Sequence, residues 1–384
     1  MTGAAQAAVT AGGPAPWVWS DVDPVAHFAA DYADARGKFL AAAKAQGAAL
    51  ETHVHPRSRG PAGEALAVDV ALFGGATASS LLLVTSGTHG AEGFCGSGCQ
   101  VALLRDASFA DSVKRSGAAV AFLHALNPFG FAHVARTNED NVDLNRNFRD
   151  FAGDQSNVAY VEVHDFVVPD AWPPSAECER RMADYIAAHG TAALQQATSA
   201  GQSERPDGLF FAGTKPAWSS DLLRDVLRRH AGRRRRLVWI DVHTGLGPLG
   251  HAEKIYAGPD DAATLARTRA CFGADVTSIY DGTSTSARLG GMLFNAVAET
   301  CPGVEYAGIA LEYGTLPFTE VMAALRARQW LTNHPGAPAE VRERILRMVR
   351  DAFYVDTPAW KAMAFAQARV AALQALAAMQ GAGR

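Results

Sequence analysis

Apolar segments run through Ser80–Thr85, Ala118–Leu123, Leu237–Val242 and Gly308–Glu312, and each runs into a polar or glycine-rich turn. A strand covered on both faces has no polar side, so these runs predict strands of a buried sheet rather than alternating surface strands. Helical periodicity fills the intervals between them and the stretch beyond the last: Gly93–Arg105, Glu177–Ala197, Ser220–His230, Asp261–Phe272, Phe318–Leu331 and Ala339–Phe353. An Ala-rich stretch from Pro358 to Met379 closes the pattern, with Pro358 suited to a helix's first turn. Strands alternating with helices predict an α/β fold, a mixed, mostly parallel twisted sheet flanked by helices. No strand pattern occurs from Asn147 to Gln202, so residues 147–236 are expected as a helical insertion. The expected organisation is a mobile tail over 1–18 and a single domain over 19–384, with C-terminal helices over 318–380. In sheets of this kind ligands collect at the carboxyl ends of strands.

The notable side chains fall at those ends. Leu81-Leu-Leu-Val-Thr-Ser-Gly-Thr-His-Gly-Ala-Glu-Gly93 breaks into glycines where His89 and Glu92 appear, and an i, i+3 spacing on a tight turn lets an imidazole and a carboxylate converge. His243 ends the run Leu237-Val-Trp-Ile-Asp-Val-His243, with Asp241 two residues earlier on the same face. A carboxylate there would orient a metal-bound imidazole. Glu312 is a lone charge ending Gly308-Ile-Ala-Leu-Glu312, a buried position that calls for a cation or a proton-transfer role. Asn127-Pro128 breaks a strand. The aperiodic stretch after it carries Arg136, Asn145 and Arg146, forked cations and a neutral donor suited to an oxyanion or carboxylate. Asp140 and Asp143 are expected to hold those arginines, and His124 and His133 to be structural.

Taken in order, His89-x-x-Glu92, Arg136, Asp143-Leu-Asn-Arg146, Asp241-Val-His243 and Glu312-Tyr-Gly-Thr315 resemble the zinc carboxypeptidase and aspartoacylase superfamily. Within it, the chain looks most like a bacterial branch catalogued as a domain of unknown function. The resemblance spans roughly Ser80 to Thr315. It implies a carboxypeptidase-like sheet and one zinc ion per chain, held by His89, Glu92 and His243. It further implies Arg136 polarising the scissile carbonyl, Asn145 and Arg146 binding a substrate carboxylate, and Glu312 as general base and acid. The substrate implied is a small molecule or short peptide bearing a carboxylate, cut at the adjacent amide by a carboxypeptidase or an N-acyl amino acid deacylase. The closeness of Arg136 to Asn145-Arg146 is more like the aspartoacylase arrangement. The tyrosine that digestive carboxypeptidases place over the substrate has three candidates, Tyr256, Tyr280 and Tyr313.

Composition narrows the alternatives. The chain has 384 residues, 48% hydrophobic and 19% charged, as expected of a globular protein with a sizeable core. A formal net charge of −4 gives no footprint for nucleic acid, and the dense basic run Arg233 to Arg236 is expected to follow a helix end. No apolar run is expected to span a membrane. Five irregularly spaced cysteines argue against a disulfide framework and for a reducing cytoplasm. Cys95 and Cys99 are expected to be packing residues. Two rivals remain: a metal-independent serine or cysteine hydrolase using Ser284, Ser286 or Cys95, without a Gly-x-Ser-x-Gly elbow, and a non-catalytic metal- or ligand-binding protein. Oligomeric state is left open.

Overall fold

The structure is a computed structural model that describes residues 23–75, 77–153 and 156–380; the expected tail over 1–18 lies outside them. Its strands are β1 (Ala49–Arg59), β2 (Ala65–Gly74), β3 (Ser80–Thr85), β4 (Ala119–His124), β5 (Arg236–Leu249), β6 (Ala252–Tyr256) and β7 (Glu305–Gly314). They form one seven-stranded sheet in the order β1-β2-β4-β3-β5-β7-β6. β4, β3, β5 and β7 run parallel, as the apolar runs predicted, while β1, β2 and β6 join antiparallel at the flanks. The fold is therefore mixed α/β.

Chain order sets where a site forms. From β3 the chain passes to β4 on one side, and later to β5 on the other. The ends of β3 and β5 diverge at this switch point, leaving a crevice beyond their carboxyl termini. Helices cover both faces. Gly93–Arg105 and Pro358–Met379 pack with Phe39, Phe94 and Val242 on one face, while Trp218–His230 packs with Leu81, Leu237 and Trp239 on the other. A third apolar cluster joins Phe318–Asn333 and Ala339–Phe353 to helices from the segment between β4 and β5.

That segment carries the helices Val158–Val167, Ala176–His189, Thr191–Ser199 and Trp218–His230, with an irregular stretch over 200–217. The predicted helix Glu177–Ala197 is instead two, Ala176–His189 and Thr191–Ser199, divided at Gly190, whose φ of +86° only glycine adopts readily. Pro358–Met379 is long and apolar enough to cross a membrane by length and composition, which corrects the expectation that no run would be. Its Trp360, Ala364, Ala371 and Leu376 are buried in the core beside the sheet. The basic run joins helix Trp218–His230 to β5, and Arg236 pairs with Glu305 at 2.7 Å.

Candidate metal centre

β3 ends at Thr85, and four residues on the chain reaches His89 in extended conformation, just before a single 3-10 turn, Gly90–Glu92. This turn lies against the backbone of Gly130; a Cβ on Gly90 would fall 1.9 Å from that residue's carbonyl carbon, so only glycine fits. The turn delivers His89 Nδ1 to 2.8 Å from Glu92 Oε1. On the adjacent strand, His243 brings its Nδ1 to 2.9 Å from Glu92 Oε2. One donor atom from each of the three residues lies within 4.8 Å of the others. All three are buried.

The outer ring nitrogens are held by carboxylates. His243 Nε2 lies 2.5 Å from Asp241 Oδ2, and Asp241 in turn accepts from Thr85 Oγ1 at 2.5 Å and Thr88 Oγ1 at 3.0 Å. Trp239 Nε1 donates to Thr85 Oγ1 at 2.8 Å, so the chain of contacts runs back into the core. His89 Nε2 lies 3.2 Å from Asp143 Oδ1 and 2.8 Å from Arg136 Nη2. Those two contacts require opposite states of Nε2. A cation on Nδ1 would leave the proton on Nε2, which would favour the contact with Asp143 over that with Arg136.

The electrostatics favour a cation. Burial works to raise the Glu92 carboxyl, but the facing imidazoles of His89 and His243 outweigh it and hold it well below the usual range. Burial likewise opposes ionisation of Asp143, which Arg136 and His89 overcome. Burial would lower His243, yet Asp241 and Glu92 drive it well above its ordinary value. The pocket thus draws a proton onto His243 to balance buried carboxylates, and a divalent ion would take its place. Two imidazole nitrogens and one carboxylate, without thiols, with carboxylates behind both rings, are a donor set that fits zinc.

Around this cluster stand the other candidates. His243 pairs with Glu312 in the β5–β7 register, so the two side chains share a face. Glu312 Oε1 accepts from the Leu246 amide at 3.1 Å. Burial, joined by the charge of Glu92, pushes the Glu312 carboxyl up to about 8. Arg136 donates through Nε to Asp143 Oδ2 at 2.9 Å. Asn145 Oδ1 accepts from the Leu293 amide at 3.0 Å, which turns its Nδ2 donor to other uses. Arg146 is anchored by Nε to the Ser199 carbonyl and by Nη1 to the Asn145 carbonyl, both at 2.8 Å. Burial lowers its guanidinium to about 10, and its described hydrogen bonds go to carbonyls. One cavity is lined by all seven candidates, His89, Glu92, Arg136, Asn145, Arg146, His243 and Glu312.

Phe210, which sequence reasoning passed over, lies 4.8 Å from the Arg136 guanidinium and 5.5 Å from that of Arg146. It comes from the insertion at a φ of +53°, and nothing in the apolar pattern of Leu209-Phe-Phe-Ala212 sets it apart. Asp143 has a wider role than expected, because it holds His89 as well as Arg136. Asp140 does not hold the arginines of the site. It pairs with exposed Arg57 at 2.6 Å, since the turn at Asn141, with φ +58°, separates it from Asp143.

Other candidates lie elsewhere. His124 accepts or donates to Ser97 Oγ at 2.9 Å and stacks on Phe39, and His133 contacts the Arg59 carbonyl at 2.9 Å, both structural as expected. Cys95 and Cys99 are buried in the helix behind Glu92. Ser286 lines the cavity, but its Oγ donates to the adjacent Ala287 carbonyl at 3.2 Å, and Ser284 Oγ accepts from the Ser286 amide at 3.1 Å. The hydroxyls of Tyr256, Tyr280 and Tyr313 donate to the carbonyls of Pro259, Gly258 and Ala364.

A buried His–Glu–His cluster at the switch point of a mixed α/β sheet is thus the defining feature. The chain belongs to the family described as "Protein of unknown function (DUF2817)", whose model matches residues 28–367. No curated protein matches it. Among solved structures it is similar to carboxypeptidase A from Helicoverpa armigera, at 14% identity over 82% of this chain and 73% of that one, with a TM-score of 0.43. Bovine thrombin-activatable fibrinolysis inhibitor, solved with tick carboxypeptidase inhibitor, aligns at 12% identity over 83% of this chain and 98% of that one, with a TM-score of 0.41. A succinylglutamate desuccinylase/aspartoacylase from Rhodobacter sphaeroides aligns at 16% identity over 74% and 65%, with a TM-score of 0.37.

Proposed function

We propose that this protein is a zinc-dependent hydrolase that cuts an amide bond beside a carboxylate, as in an N-acyl amino acid or a peptide C-terminus. The observation that carries the proposal is the convergence of His89, Glu92 and His243 within 4.8 Å, beside a buried Glu312 and two arginines in one cavity. His89 Nδ1, His243 Nδ1 and the Glu92 carboxylate would hold the ion. When bound, zinc supplies Lewis acidity and brings the pKa of a water down to about 7.

The chain's own residues do the rest. Asn145 Nδ2 and the Arg146 fork bind the substrate carboxylate and so fix the scissile carbonyl in the crevice. Arg136 turns its guanidinium to the carbonyl oxygen, where negative charge grows. Glu312 takes a proton from the attacking water and returns it to the leaving nitrogen. Its raised affinity for protons, tempered by a cation nearby, suits both halves of that exchange. A purely structural zinc site is usually closed by four protein ligands; three ligands facing a cavity leave a place for water.

The test is metal analysis of the purified protein, then hydrolysis of N-acyl amino acids and short peptides with and without chelator. We expect about one zinc per chain and activity that chelation removes and zinc restores. Absence of bound metal together with chelator-insensitive behaviour rejects the proposal. Activity that instead yields to a serine- or thiol-directed reagent supports the rival hydrolase.

A further inference from the structure

The cavity continues beyond Glu312 into an apolar recess. Along β7 side chains alternate, so Ala310 shares the face of Glu312 one step deeper in the sheet. Ile255 of β6 stands directly opposite Ala310 in the antiparallel register. Ile279, Met292 and Phe294 line the same cavity and are buried in the cluster that contains Trp239. Phe294 meets the Trp239 ring at 4.9 Å, so this wall is braced by the core rather than by solvent-exposed loop.

The recess is tied to the carboxylate-binding end. Leu293, between Met292 and Phe294, donates its amide to Asn145 Oδ1 at 3.0 Å. Gly291 lies so close to Arg146 that a Cβ there would fall 2.2 Å from the Arg146 carbonyl oxygen. A substrate anchored at Asn145 and Arg146 therefore presents its neighbouring substituent to Met292 and Phe294. The charged side chains lining the cavity are His89, Glu92, Arg136, Arg146, His243 and Glu312. Each already has a part in the cluster, the carbonyl contact, the carboxylate contact or the proton transfer. Among the described residues the recess offers no further charge, so a second carboxylate or an ammonium group would enter it unpaired, at high cost.

We propose that the acid recognised carries an apolar side chain of leucine to phenylalanine size, seated over Ala310 between Ile255, Ile279, Met292 and Phe294, and that doubly charged acids are rejected. This rests on the function proposed above, in that Asn145 and Arg146 hold the carboxylate. It selects among carboxylate-bearing amides, which that function leaves open.

The full-length, zinc-supplemented protein is offered N-acetyl-L-leucine, N-acetyl-L-phenylalanine, N-acetyl-L-aspartate and N-acetyl-L-lysine. The readouts are kcat/KM and, separately, affinity by titration calorimetry on the Glu312→Gln variant. The apolar derivatives are expected to exceed the charged ones by roughly 100-fold in kcat/KM, the order a few apolar contacts provide, and to bind more tightly in the variant. Met292→Lys is expected to reduce turnover of the leucine derivative at least tenfold and to raise that of the aspartate derivative. Should Met292→Lys not fold, the wild-type panel decides alone. Chelator-sensitive hydrolysis that favours aspartate or lysine, or treats all alike, overturns the recess assignment and leaves the metallohydrolase standing. If no derivative binds and none is hydrolysed in a chelator-sensitive way, both fall.

Discussion

Replacing Glu312 by Gln removes one ionisable oxygen and little volume, so it separates proton chemistry from packing. Glu312 is 8% exposed, and burial beside Glu92 raises its carboxyl from 4.5 to about 8. In metal-free protein the folded state therefore keeps a proton that the unfolded chain releases above pH 4.5. Stability is fullest below that value, falls as pH rises toward 8, and levels off once Glu312 ionises in both states. The shift corresponds to a loss on the order of 5 kcal/mol across the window. Glutamine cannot ionise, so the chelator-treated variant should lack this part of the decline and be the more stable protein at pH 9. Catalysis moves oppositely: loss of a general base costs roughly 100- to 10,000-fold in kcat, with zinc content unchanged. Denaturant melts of both proteins from pH 5 to 9 with chelator, and kcat on the best N-acyl substrate with zinc, measure the two effects. A variant with zinc bound and near-normal kcat would refute the base assignment; one whose stability follows the parent's pH profile would refute the burial argument.

Asp241→Asn keeps the shape but weakens the support of His243, and zinc affinity should fall about 10- to 100-fold, read by competition with a chromogenic chelator. Arg146→Ala should act mainly through KM, with kcat reduced far less, because the side chain is assigned to ground-state recognition; equal losses in kcat and kcat/KM would move Arg146 into the transition state. Gly291→Ala places a Cβ 2.2 Å from the Arg146 carbonyl at a φ of +69°. It should destabilise by more than about 1 kcal/mol, seen as a lower Tm, and raise KM as Arg146 shifts.

Much of the architecture was legible because it obeys one-dimensional rules. β3, β4, β5 and β7 are buried on both faces, so they write themselves as continuous apolar runs, and Gly93–Arg105, Ala339–Phe353 and Pro358–Met379 match their predicted limits. β1 was missed because an edge antiparallel strand mixes exposed and buried positions; it carries Glu51, His53, His55 and Arg57 within a single strand. β2 is buried from Leu66 to Ala71, and Asp69 interrupts its apolar run. β6 is too short to show a period.

The sequence alone determined that His89 and Glu92 follow β3, that His243 lies in β5 and that Glu312 lies in β7, because polar side chains stand out where long apolar runs give way; β5 itself continues past His243 to Leu249. It could not decide distances or partners. That Asp143 supports His89 as well as Arg136, that Asp140 turns outward to Arg57, and that Phe210 covers two guanidiniums all depend on a loop and an insertion folding back over the sheet. The apolar recess is likewise a product of tertiary structure. It joins Ile255, Ile279, Met292 and Ala310 from segments with no local signal in common, brought together by strand register and by the packing of Phe294 on Trp239.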